Sequence, residues 1–129
     1  MNKIIVEVSV GELLDKISIL EIKQDKIKDS EKLSFINNEH SILKSQFEKN
    51  VKSDEKLEKL FQDLKDINAK LWVIEDEKRD CEKNKDFGKK FIKLSRDIHF
   101  LNDDRAKIKL EMNNHTGSAI KEIKEYTSY

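Results

Sequence analysis

No proline and only three glycines interrupt this 129-residue chain. Proline removes a helix donor and clashes with the preceding turn, and glycine is the next poorest helix former, so long helices are open to almost the whole sequence. Punctuation then sets their limits. Ser9-Val10-Gly11-Glu12 has the Ser-x-x-Glu form of a capping box and starts a first helix over 9–29, with Leu13, Ile17, Leu20 and Ile27 at helical spacing. Asp29 or Ser30 caps a second over 31–50, which carries Leu33, Ile36, Leu43 and Phe47. Ser53 caps a third over 54–83, with Leu57, Leu60, Leu64, Ile67, Leu71 and Ile74. After "NKDFG" a fourth spans 87–113, with Phe91, Leu94, Ile98, Leu101, Ile108 and Met112 on one stripe.

Short connections make consecutive helices neighbours, so the expected fold is all-α: one domain over 1–129 forming an antiparallel up-down four-helix bundle. The first two helices come to about 30 Å and the last two to about 40 Å, so the second pair projects. Two pieces remain. Residues 1–8 are rich in β-branched side chains and read as an extended arm, either packed along the bundle or paired with a second copy or a partner sheet. Residues 118–127 read as a short helix or tail, with Ile120, Ile123, Tyr126 and Tyr129 free to dock.

Charge narrows the functions open to such a bundle. The 26 basic and 26 acidic residues cancel, so no global field draws in nucleic acid or an anionic membrane, and neither is expected as a partner. The start "MNKIIVEVS" is too short in apolar residues for a signal core or a membrane span, which points to a cytoplasmic protein. Cys81 is the one cysteine, incidental rather than catalytic, and allows no internal disulfide. His40, His99 and His115 lie on separate segments without ligand spacing, and Glu-x-x-His is absent, so no metal or other cofactor is expected. Acids three apart recur as Glu12/Asp15, Glu55/Glu58, Asp63/Asp66, Glu77/Asp80 and Glu122/Glu125, about as often as chance allows in so acidic a chain.

The arginines stand out against this background. Arg79, Arg96 and Arg105 are the only three, beside 23 lysines. A guanidinium offers a planar fork that grips a carboxylate or phosphate with two bonds, which an ammonium cannot do. Arg105 falls on the apolar stripe of the fourth helix, and the same logic puts Gln24, His40 and Asn68 at core positions of the other three. Folding the hairpins aligns Glu21, His40, Asn68 and Arg105, with Gln24 and Asn102 about a turn away. This polar layer is either a self-satisfied network, with Glu21 pairing Arg105, or the floor of a pocket for a small anionic ligand.

A second constellation is "LWVIEDEKRD", where Trp72, Glu75, Asp76 and Arg79 share a helical face and Glu75–Arg79 is a favourable i,i+4 pair. Folding the hairpin about residue 85 brings Arg96 to the level of Glu75. Residues 83–96 carry six positive charges and one negative, and residues 75–82 five negative and two positive. Mutual neutralisation across the turn is the expected outcome, with a phosphate or nucleic-acid surface the alternative.

"VSVGELLDKISILEIK", "LWVIED" with Arg79, "FIKLSR", "NDDRAKIK" and the "GS" preceding a Tyr-bearing tail together resemble an uncharacterised bacterial family of similar length, a domain of unknown function. The resemblance implies no activity or cofactor. It implies a setting in bacterial cell-surface glycan biosynthesis, and it marks Lys16, Glu21, Lys23, Trp72, Glu75, Asp76, Arg79, Arg96, Asn102, Asp103, Arg105 and Lys109 as recurring positions.

The reading is therefore a small binding or accessory module, expected to take an anionic ligand, a protein partner or a second copy of itself as a homodimer. One alternative is an enzyme acting on an anionic metabolite, as chorismate mutase-like bundles do. The other is a purely structural coiled-coil adaptor.

Overall fold

The first helix of the chain is its hub. In the computed structural model, which describes residues 2–129, four helices follow in order: α1 (Val10–Lys26), α2 (Ser30–Asn50), α3 (Glu55–Lys83) and α4 (Lys89–Thr116). Among the described residues there is no strand. The α1 backbone closely approaches all three other helices, and α3 and α4 also pack together, whereas α2 approaches α1 alone. At ~1.5 Å per residue the 29 and 28 residues of α3 and α4 make rods of about 42 Å, against roughly 26 Å for the 17 of α1.

Caps fix the ends locally. The Ser9 side chain accepts from the Glu12 N–H at 3.1 Å and Asp29 from that of Lys32 at 3.0 Å. The third helix is capped by Asp54, not Ser53: its carboxylate accepts from the Leu57 N–H at 2.8 Å. At the other end of α4, Gly117 takes the left-handed conformation at φ 67°, where a side chain would be strained, and ends the helix. His115 meets Asp54 at 2.8 Å near one end of the α3–α4 pair, and Lys78 lies over the Phe91 ring near the other.

The core sits where α1 lies against the pair. Leu14 and Ile17 pack with Leu57, Leu60, Leu64 and Met112, and Leu43, Phe47 and Val51 close the α2 side. Fully burying each such side chain stabilises by roughly 1.5–3 kcal/mol, so this cluster holds α1 in place. Among the described residues no helix is long and apolar enough to cross a membrane.

Both terminal segments lie outside the helices. The arm is not packed along the bundle: Ile4, Ile5 and Val6 are exposed. The segment after Gly117 forms no short helix. It is a tail, held by a Tyr129 hydroxyl bond to Asp103 and by Tyr129 ring contacts with His99 and Phe100.

Candidate functional site

A missing side chain creates the site. A Cβ added to Gly11 would lie 2.6 Å from the Lys109 carbonyl oxygen, so only glycine lets α1 and α4 come this close. Where they touch, the first N–H groups of α1 are satisfied from outside the helix. Val10 donates to Ser118 Oγ at 3.2 Å and Gly11 to the buried Asn113 Oδ1 at 2.7 Å. The capping box is half formed: Glu12 turns its carboxylate to Lys109 Nζ at 2.7 Å.

One turn further along α1, Asp15 is buried with only 3% of its side chain exposed. Arg105 grips it with two bonds, Nε to Oδ1 at 3.2 Å and Nη2 to Oδ2 at 2.8 Å. Asn68 of α3 donates to Asp15 Oδ1 and to Ser18 Oγ, both at 2.8 Å, and the Ser18 hydroxyl donates to the Asp15 carbonyl at 2.8 Å. Lys109 Nζ adds an ion pair to Asp15 at 3.6 Å. One carboxylate thus ties α1 to α3 and α4. Isolated, it would cost several kcal/mol to bury, and two cations with an amide offset that cost.

The expected partner of Arg105 is thereby corrected. Glu21 does not pair with it; Glu21 receives bonds from His40 at 3.1 Å and Lys65 at 3.2 Å in a separate network. Gln24 is not in a core layer either, since its amide bonds Asn37 of α2 at an exposed position. The single layer is in fact two, because α1 buries one face toward α4 and another toward α2, and Asp15 and Glu21 lie on different faces. Asn68, Asn102 and Lys109 do join Arg105, with Arg105 Nη1 donating to Asn102 Oδ1 at 3.3 Å.

Burial and partners act in opposition on the charges here. Burial disfavours the Lys109 ammonium, but the Glu12 bond and the charges of Asp15, Glu12 and Glu122 outweigh it and raise its pKa above 10.5. For Glu21 burial likewise disfavours the charge, and the bonds from His40 and Lys65 overcome it, leaving the pKa below 4.5.

Arg105 has a second side. Its inner edge holds Asp15, while 29% of its side chain remains exposed and forms the wall of a groove of about 300 Å³. Asn102, Lys109 and His99 of α4 line this groove, and Lys124 and Tyr126 of the tail close it. The tail also brings a carboxylate to two of these cations: Glu122 lies 3.4 Å from Lys109 Nζ and pairs with Lys124.

The second constellation does not assemble. Glu75, Asp76 and Arg79 are exposed and Trp72 is half-buried. Among the described residues Glu75 makes no ion pair with Arg79 or Arg96, and no acid of 75–82 pairs with a cation of 83–96, so the expected neutralisation is not made by direct contacts. Arg96 instead lies over the Phe100 ring. Recurrence in the resemblance gave Arg96 and Arg105 the same weight; among the described residues only Arg105 of the two pairs with a carboxylate from another helix.

Sequence reasoning missed Asp15, Glu12, Ser18 and Asn113. A signal for the first was present: Gly11, Asp15, Ser18 and Ile22 share a second helical face of α1, small and polar beside apolar, distinct from Leu14 and Ile17. The Glu12/Asp15 pair, one of five explained by chance, turns out to be the acidic half of the site.

A family model described as a family of unknown function (DUF6165) matches residues 4–129, nearly the whole chain, and the chain belongs to that family. No curated protein and no solved structure matches it.

Proposed function

We propose that this member of the family is a small binding module, in which the groove between α4 and the C-terminal tail takes a small anionic ligand. One observation carries the reading: the tail's own carboxylate, Glu122, sits on Lys109, a cation that lines the groove together with Arg105. It stands in for the carboxylate or phosphate of a ligand. Asp15 and Asn102 hold the guanidinium in place, so Arg105 lines the groove without having to reorganise on binding. Tyr126 and His99 give the ligand's less polar part a surface to lie on. On this reading the four helices run up and down in succession, and the protein acts in the cytoplasm; its link to cell-surface glycan biosynthesis rests on the sequence resemblance alone.

A thermal-shift screen with inorganic phosphate, sugar phosphates, sugar nucleotides and small polycarboxylates tests it. At least one anion is expected to raise the melting temperature, more strongly after Glu122→Gln removes the internal competitor and not at all after Arg105→Lys. No shift from any anion in either wild type or Glu122→Gln rules the ligand out.

A second reading, a structural adaptor, is favoured by a different observation: among the described residues no buried side-chain nitrogen or oxygen lacks a partner. Both polar networks are complete without a ligand. An Arg105→Lys variant that melts lower while no anion shifts either protein selects this reading.

A further inference from the structure

The arm ahead of α1 is the stretch whose chemistry the helices leave unused. Residues 2–9 have no regular secondary structure, and Ile4, Ile5 and Val6 are 88%, 82% and 69% exposed. Nothing inside the chain receives the arm, since no strand exists among the described residues. Yet Ile-Ile-Val favours extended pairing, and an unpaired strand recruits another through its open backbone donors and acceptors.

The order Lys3-Ile4-Ile5-Val6-Glu7-Val8 selects its mate. Beside an identical strand running antiparallel and centred on Ile5, each Lys3 stands opposite Glu7, and Ile4 opposite Val6. Side chains alternate between faces, so both copies of Ile4, Val6 and Val8 gather on one face, while Lys3, Ile5 and Glu7 share the other. Other arrangements lose this. Centring on Val6 sets Ile5 against Glu7, a half-step shift sets Glu7 against Ile4, and parallel pairing in register stacks lysine beside lysine. A one-residue slip moves every side chain to the wrong neighbour, which is how a short strand specifies register.

We infer that the arm is a self-pairing segment: two copies of this chain associate through antiparallel pairing of residues 3–7 about Ile5, with Lys3 of each copy opposite Glu7 of the other. From Ile5 to Val10 the extended chain covers five residues. At ~3.3 Å each, the two α1 helices begin on the order of 30 Å apart, which leaves room for helices ~10 Å across. A two-stranded ribbon is marginal by itself, so the dimer is weak, dependent on concentration and loosely oriented. The inference does not depend on the anion groove.

Disulfide trapping on the full chain tests it, because Cys81 is buried and the wild type supplies the blank. Under mild oxidation Ile5→Cys is expected to give at least about tenfold more cross-linked dimer than Ile4→Cys or Val8→Cys, since only position 5 faces itself within disulfide reach. Adding Glu7→Lys to Ile5→Cys lowers the yield severalfold by setting lysine against lysine, and adding Lys3→Glu to that protein restores it. Helix content by circular dichroism stays unchanged in all of them, as the arm lies outside the core. Equal trapping at positions 4, 5 and 8, no trapping at any of them, or indifference to Glu7→Lys overturns the inference.

Discussion

The two halves of the α3–α4 pair are built from the same residue types and behave differently. In the half holding Asn68 and Arg105, side chains bond across the sequence to α1. In the half from 72 to 100, every side-chain hydrogen bond among the described residues spans four positions or fewer, as in Lys93–Asp97, Ser95–Phe91 and Asp86–Gly88. Arginines and acids are present in both. What differs is a third helix carrying a buried carboxylate: two rods alone cannot enclose a charge, and charges on their faces stay solvated and contribute little. Composition and spacing supply a site's chemistry; enclosure by α1 decides which arginine becomes one.

Breaking the enclosed half has the largest effect. Asp15→Ala leaves Arg105, Lys109 and Asn68 facing a gap, and urea denaturation is expected to show a loss of about 3–5 kcal/mol, the usual consequence of orphaning a buried charge. Gly11→Ala forces α1 and α4 apart against the Lys109 carbonyl and should cost about 1–3 kcal/mol in the same assay. Arg105→Lys keeps the charge but not the two-bond grip and should cost about 1–2 kcal/mol.

Acid and alkali loosen this half by different groups. Glu21 has its folded pKa below its ordinary 4.5, so its contribution is complete above that value and fades as pH falls through the folded one. Lys109 has a folded pKa above its ordinary 10.5, so its contribution is complete below 10.5 and fades as pH rises past it. A melting-temperature profile should lose part of its acid limb in Glu21→Gln and part of its alkaline limb in Lys109→Met. The projecting half supplies the smallest effect: Arg79→Ala and Arg96→Lys should each change stability by no more than about 0.5 kcal/mol, and a larger change in either would erase the contrast.

Much of the helix layout was legible because its signals are local. Ser9 and Asp29 announce their helices through bonds three residues away, and apolar periodicity needs no knowledge of neighbours. What escaped was set by tertiary placement. Arg105 could be read as inward-facing from its stripe, but its partner could not, because a single stripe per helix is the wrong premise for a hub that buries Gly11, Asp15 and Ser18 as well as Leu14 and Ile17. Asp15 therefore looked like one more surface acid. The Trp72–Arg79 face had regular spacing too, yet spacing does not say whether another helix lies over it. Ile120, Ile123 and Tyr126 left a short last helix and a tail both open; no core position receives them, and the segment is a tail.

The coupling between Asp15 and Arg105 across α1 and α4 is what sets the enclosed half apart. A double-mutant cycle of Asp15→Asn and Arg105→Lys, read by urea denaturation, measures it directly. We expect an interaction energy of about 1–3 kcal/mol, as for residues sharing one bonded network, whereas single-mutant losses that simply add would contradict the buried grip.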